Sequence, residues 1–133
     1  MTFDEYQQAM RRTAGPAYSQ EDALQLSALG LCGETGEFAD AVKKHVYHGH
    51  PLPSAQLFEE LGDILWYITR ACDALDLQLD TVAAFNIHKL QQRYPNGFSS
   101  ERSINRGDDV PLITCPICGA FGFHSFSCPE RDA

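Results

Sequence analysis

The residues of this chain best suited to chemistry are carboxylates in two short signatures. The first is Gly30-Leu31-Cys32-Gly33-Glu34-Thr35-Gly36-Glu37, and the second is Glu59-Glu60-Leu61-Gly62-Asp63. Reduced to their acids they read ExxE, an interval of 22 residues, then ExxD. Residues three apart share a face of a helix. Each signature therefore presents two carboxylates together, and two such helices packed face to face would gather Glu34, Glu37, Glu60 and Asp63 around one volume. Acids brought together without counter-ions repel, and burial makes each costly to keep charged. A hard divalent cation removes both problems, and ligands that are all oxygen favour magnesium or manganese over zinc. Metal-assisted phosphoryl hydrolysis is the chemistry that such a set supports.

The elements that must position these acids are helices. Thr2 with Glu5 three residues on predicts a capping box for a helix over about 3–13, with Phe3, Tyr6 and Met10 on one side. Gly15-Pro16 ends it, and Ser19 caps a helix over about 20–47. Leu24, Leu31, Thr35, Phe38, Val42 and His45 form the core stripe of that helix, with Glu34, Glu37, Lys44 and His48 on one flank. Gly30, Gly33 and Gly36 weaken a helix, so they call for close packing or for room beside the carboxylates. After a turn at His48-Gly49-His50-Pro51-Leu52-Pro53, Ser54 caps a third helix over about 55–76. Its stripe is Leu57, Leu61, Ile64, Leu65, Ile68, Cys72 and Leu75, with Glu60, Asp63 and Tyr67 on one flank. Glu59 and Trp66 fall on the other side, where an exposed Trp66 would suit an oligomer interface. Asp80 caps a fourth helix, over about 81–93, that stops before Pro95. Asn86, Lys89 and Arg93 line one face of it. In an acidic protein that stripe reads as a phosphate clamp rather than a merely solvated face. Residues 99–110 are polar and read as a linker.

Composition bounds the rest. The length of 133 residues suits one domain with a small appendix, and 44% hydrophobic residues are enough for a core. No apolar run is long enough to span a bilayer, and the acidic N-terminus predicts no secretory signal, so a cytoplasmic protein without membrane contact is expected. A net charge of −8 disfavours non-specific binding to a polyanion but leaves a small phosphate substrate open. Three of the five cysteines lie in the tail, where Cys115, Cys118, His124 and Cys128 follow one another at x2, x5 and x3. The Cys-Pro-x-Cys-Gly turn resembles a zinc knuckle, and Cys3His completes a closed, structural zinc site. A segment this small needs its metal to fold.

The paired acidic signatures resemble those of the MazG-like, all-α nucleoside triphosphate pyrophosphohydrolases. The stretch Asn86-Ile87-His88-Lys89-Leu90-Gln91-Gln92-Arg93-Tyr94-Pro95-Asn96-Gly97-Phe98 is similar to that family's Asn-x-x-Lys-Leu…Arg-Tyr-Pro-x-Gly-Phe ending. With the tail's own ligands read as a zinc knuckle, the linker and zinc-binding tail take residues 107–133. The resemblance, which covers roughly residues 20–105, implies an all-α bundle of about four helices for 1–106. It implies hydrolysis of a nucleoside or deoxynucleoside triphosphate at the α-phosphorus, giving the monophosphate and pyrophosphate. It names Glu34, Glu37, Glu60 and Asp63 as magnesium ligands, and Glu37, ahead of Glu34, as the residue that orients or deprotonates the attacking water. Lys89, Arg93 and Asn86 are the substrate contacts, with Lys44 a weaker one, and a homodimer or homotetramer is implied. The alternatives are a di-iron oxidase and a non-catalytic helical adaptor whose tail binds protein or nucleic acid. The first lacks the Glu-x-x-His pairs that its chemistry favours. The second leaves the aligned acids unexplained.

Overall fold

The computed structural model describes residues 1–16 and 19–105. Among them the fold is all-α, with helices α1 (Phe3–Arg11), α2 (Gln20–His48), α3 (Ser54–Ala74), α4 (Leu79–Arg93) and α5 (Ser100–Ile104), and no strand. The chain forms two compact units, which divide after Gln78.

The first unit is built on the α2–α3 hairpin. Ser19 caps α2 by accepting from the Asp22 amide at 3.1 Å. The helix runs unbroken until Gly49, whose φ of 72° is a left-handed conformation that costs glycine little. Pro51 and Pro53 follow, and α3 starts at Ser54 with Pro53, not Ser54, at the cap. The two long helices run antiparallel, since their contacts come in opposite chain order. Gln20 donates to the Ala74 carbonyl at 2.7 Å, Gly30 meets Tyr67, and Glu34 meets Glu60.

Gly30 explains how closely the pair packs. A β-carbon there would overlap the Tyr67 ring, whereas β-carbons at Gly33 and Gly36 would meet nothing within 4 Å. Close packing therefore accounts for one of the three glycines, and the other two face open space.

Helix α1 lies against α3. Its capping box forms as expected, with reciprocal bonds between Thr2 and Glu5 at 2.8 and 3.2 Å. Gln7, 2% exposed, donates to the Leu77 carbonyl at 3.0 Å, and the Arg11 Nε donates to Asp73 at 2.7 Å. The Trp66 indole donates to the Thr13 hydroxyl at 2.8 Å and stands edge-on to Tyr67, with the Arg70 guanidinium over its ring. Trp66 is thus half-buried and engaged within the chain, not the exposed interface residue expected from its position. Met10, Ala41 and Cys72 are buried as core residues. Thr35 departs from the expected core stripe, being exposed with its hydroxyl bonded back to the Leu31 carbonyl, and Leu61 is 54% exposed.

In the second unit α4 begins at Leu79, so Asp80 lies in its first turn rather than at the cap. Pro95 lies just beyond the helix, and Gly97, at φ 90°, completes the turn that brings the Tyr94 and Phe98 rings to 5.5 Å. The segment read as a linker contains α5, capped by Ser99, and Arg102 donates to the Arg93 carbonyl at 3.2 Å. Local capping thus makes a short helix out of a polar stretch. Residues 106–133, including Cys115, Cys118, His124 and Cys128, lie outside the described residues.

The Gly30 contact predicts that Gly30→Ala destabilises the protein by ~1–3 kcal/mol through overpacking. Gly33→Ala, in open space, should leave the melting temperature unchanged or raise it. Thermal melts of the two variants side by side test this.

Candidate metal and catalytic site

The heart of the site is set by α2 and α3. Glu34 and Glu37 stand one turn apart on α2, and Glu60 faces them from α3. Carboxylate oxygens of the three lie within 4.8 Å of one another. Their environments differ: Glu60 is 7% exposed, Glu34 is half-buried and Glu37 is exposed. Gln56, one turn before Glu60, donates to the Glu60 Oε1 at 3.3 Å and helps to hold that buried side chain. The i,i+4 spacing of Gln56 and Glu60 was the signal for this contact, which sequence reasoning missed.

Asp63 stands outside this trio and is exposed, but its charge reaches it. Burial first, then the charges of Asp63, Glu37 and Glu60 and a hydrogen bond with Glu60, raise the Glu34 carboxyl above its ordinary value. A proton on Glu34 would relieve that repulsion. A divalent cation would play the same part with more charge. The all-oxygen donor set, one member buried and braced by an amide, fits a hard cation of the magnesium type. Glu59 is exposed and has no place in the trio.

Asp63 also reaches α1. The Tyr6 hydroxyl is pushed up by burial and then by the Asp63 charge, so α1 borders the acidic site. Nothing in the spacing of Tyr6 announced this, because it depends on how α1 lies on α3.

The basic residues are placed as follows. Lys44 pairs with Asp40 at 2.7 Å, and Lys43 bonds the same carboxylate. The bonds from Lys43 and Lys44 pull Asp40 down to about 2. Lys44 is therefore committed to a local acid. Asn86, Lys89 and Arg93 occupy α4 of the second unit, Asn86 exposed and the other two half-buried. The described residues contain no helix long and apolar enough to cross a membrane.

Comparison with known proteins identifies the family. The family model of the MazG nucleotide pyrophosphohydrolase domain matches residues 23–98, which include both acidic signatures and the Asn86–Phe98 stretch. The Gene 37 protein of Mycobacterium phage L5 is 36% identical over 89 residues, covering 64% of this chain and 78% of the phage protein. No solved structure matches the chain significantly. With more than half of its length matched, and with the acids of both signatures meeting between α2 and α3, the chain belongs to the MazG nucleotide pyrophosphohydrolase domain family.

Proposed function

We propose that the protein hydrolyses a nucleoside or deoxynucleoside triphosphate at the α-phosphorus, with magnesium or manganese, to the monophosphate and pyrophosphate. The observation that carries this reading is the convergence of Glu34, Glu37 and Glu60, with Asp63 close enough to perturb Glu34. Family membership supplies the reaction class.

These four carboxylates would hold the cation. When bound, it supplies positive charge for the phosphate oxygens and a more acidic water. The chain's own residues do the rest. Glu37, the exposed member of the trio, can meet a water without a large rearrangement, and we assign it the orienting or proton-accepting role, with Glu34 second. The water's oxygen bonds to the α-phosphorus, its proton passes to the carboxylate, and the bond to the oxygen bridging towards the β-phosphate breaks. Lys89, Arg93 and Asn86 are proposed to bind the phosphates or the sugar, on the strength of their match to the family's motif. Lys44, already paired with Asp40, is the weakest of the substrate candidates.

Assembly is proposed on separate grounds. Leu29, Tyr47 and Phe58 are 74%, 79% and 79% exposed among the described residues, which leaves apolar surface open. A homodimer or homotetramer would cover it. We retain the division at about residue 106, with the tail as a separate structural zinc site of Cys115, Cys118, His124 and Cys128, in a cytoplasmic protein. With four protein ligands that zinc has no open position for water, so it takes no part in the hydrolysis.

Release of pyrophosphate from a panel of nucleotides tests the reaction. Glu37→Gln and Asp63→Asn should nearly abolish turnover with the helical fold intact, while Glu59→Gln should be mild. No release from any nucleotide would favour the adaptor reading. A Glu59→Gln variant as damaged as Glu60→Gln would show that the wrong face of α3 has been chosen.

The tail reading predicts about one zinc per chain by elemental analysis, lost in Cys118→Ser. A protein ending near Arg106 should keep magnesium-dependent turnover. Zinc absent from protein prepared under reducing conditions would contradict the assignment.

A further inference from the structure

Three of the chain's five histidines fall within six residues, at 45, 48 and 50, around the end of α2. The turn that ends the helix arranges them. The amides of Gly49 and His50 both donate to the Lys44 carbonyl, the latter at 3.3 Å, and the left-handed Gly49 folds the chain back on the last turn. The His50 carbonyl then lies 2.8 Å from the Nδ1 of His45. A carbonyl only accepts, so this nitrogen carries the proton and His45 anchors the turn. The rings of His48 and His50, both exposed, come to a centroid separation of 6.5 Å with 57° between their planes.

That separation is close to what a shared ion needs. Two imidazoles bound at ~2.0–2.1 Å per nitrogen, at a tetrahedral angle, place their ring centroids roughly 5 Å apart. Rotation of two exposed side chains can close the difference without moving the backbone. The electrostatics favour a cation as well. The last carbonyls of a helix carry partial negative charge, and Lys43 and Lys44, the nearest fixed cations in sequence, are both paired with Asp40. Neutral imidazole suits nickel, copper and zinc and is a poor ligand for magnesium, so this place differs in chemistry from the carboxylate trio.

We infer that His48 and His50, on either side of the Gly49 turn, form a two-imidazole site for a late first-row divalent ion such as Ni²⁺ or Zn²⁺, with His45 as the residue that positions the turn. The site leaves coordination positions to water and takes no part in the hydrolysis proposed above.

The test uses the full, untagged chain and Ni²⁺ as the probe. Calorimetric titration at neutral pH in excess Mg²⁺ should find a Ni²⁺ site that the double variant His48→Ala/His50→Ala weakens at least tenfold. Each single variant should lose most of that affinity, because one imidazole does not chelate. The double variant should also leave an immobilised Ni²⁺ column at lower imidazole than the parent. His88→Ala, which removes a ring that contacts the Gln92 amide at 2.8 Å, should change neither result. Ni²⁺ held only by the tail or by the carboxylates would bind the parent and the double variant alike, and that outcome overturns the inference. So does a loss in the double variant no greater than that in His88→Ala. All three positions are exposed or half-buried, and unchanged helical circular dichroism separates loss of a ligand from loss of fold.

Discussion

The repulsion among Glu34, Glu37, Glu60 and Asp63 is the constraint around which the first unit is arranged. Acids on the surface of a single helix would turn apart into solvent. Here the antiparallel pairing of α2 and α3 holds oxygens of three of them within 4.8 Å, with Glu60 only 7% exposed. Such an arrangement stores unfavourable energy in the metal-free fold, visible in the raised Glu34 carboxyl. A bound cation would make it favourable. Binding sites assembled in this way trade stability for function, since the contacts that hold the helices must outweigh the charges between them.

Those contacts are identifiable. The missing side chain at Gly30 lets the Tyr67 ring lie directly on the α2 backbone, close to the acids in sequence on both helices. Helix α1, with Met10 buried, is also tied to α3 by polar bonds. Buried Gln7 bonds the chain just beyond α3, Arg11 holds Asp73, and Trp66 holds Thr13. Hydrogen bonds of this kind are individually modest, but leaving a buried partner unmet is costly, which makes the orientation of α1 specific. Because α1 is fixed, Tyr6 borders Asp63, and the acidic site is bounded by three helices.

What was legible in the sequence was local. The capping box of Thr2 and Glu5, the Ser19 cap, the end of α2 at Gly49 and the stop before Pro95 each rest on residues within one turn of one another, and the helices begin and end close to the expected places. The pairing of Glu34 and Glu37 with Glu60 followed from two helical periodicities and one short loop. What was not legible depended on contacts across the fold. Periodicity placed Trp66 away from the carboxylate face, but only the position of α1 shows that Thr13 covers it. The helical period put Thr35 in the core stripe, yet the hydroxyl bonds its own helix at the surface. The three glycines looked alike in sequence and differ only in what faces them. The α5 helix was hidden because its composition is that of a linker, and its Ser99 cap was the one signal available. The zinc ligands proposed in the tail are read from residue type and spacing alone, since they lie outside the described residues.

The most direct test of the account is thermal stability at neutral pH, in magnesium-free buffer and again with saturating Mg²⁺ or Mn²⁺, for the parent and Glu34→Gln. Burial and three neighbouring acids disfavour the charged Glu34 in the metal-free fold. Removing that charge should therefore raise the metal-free melting temperature. The parent should gain stability on adding the cation, as any ion that binds the folded state requires, and Glu34→Gln should lose most of that gain. A variant that melts lower than the parent without metal, yet gains as much as the parent from it, would contradict the claim that these acids converge to hold a cation.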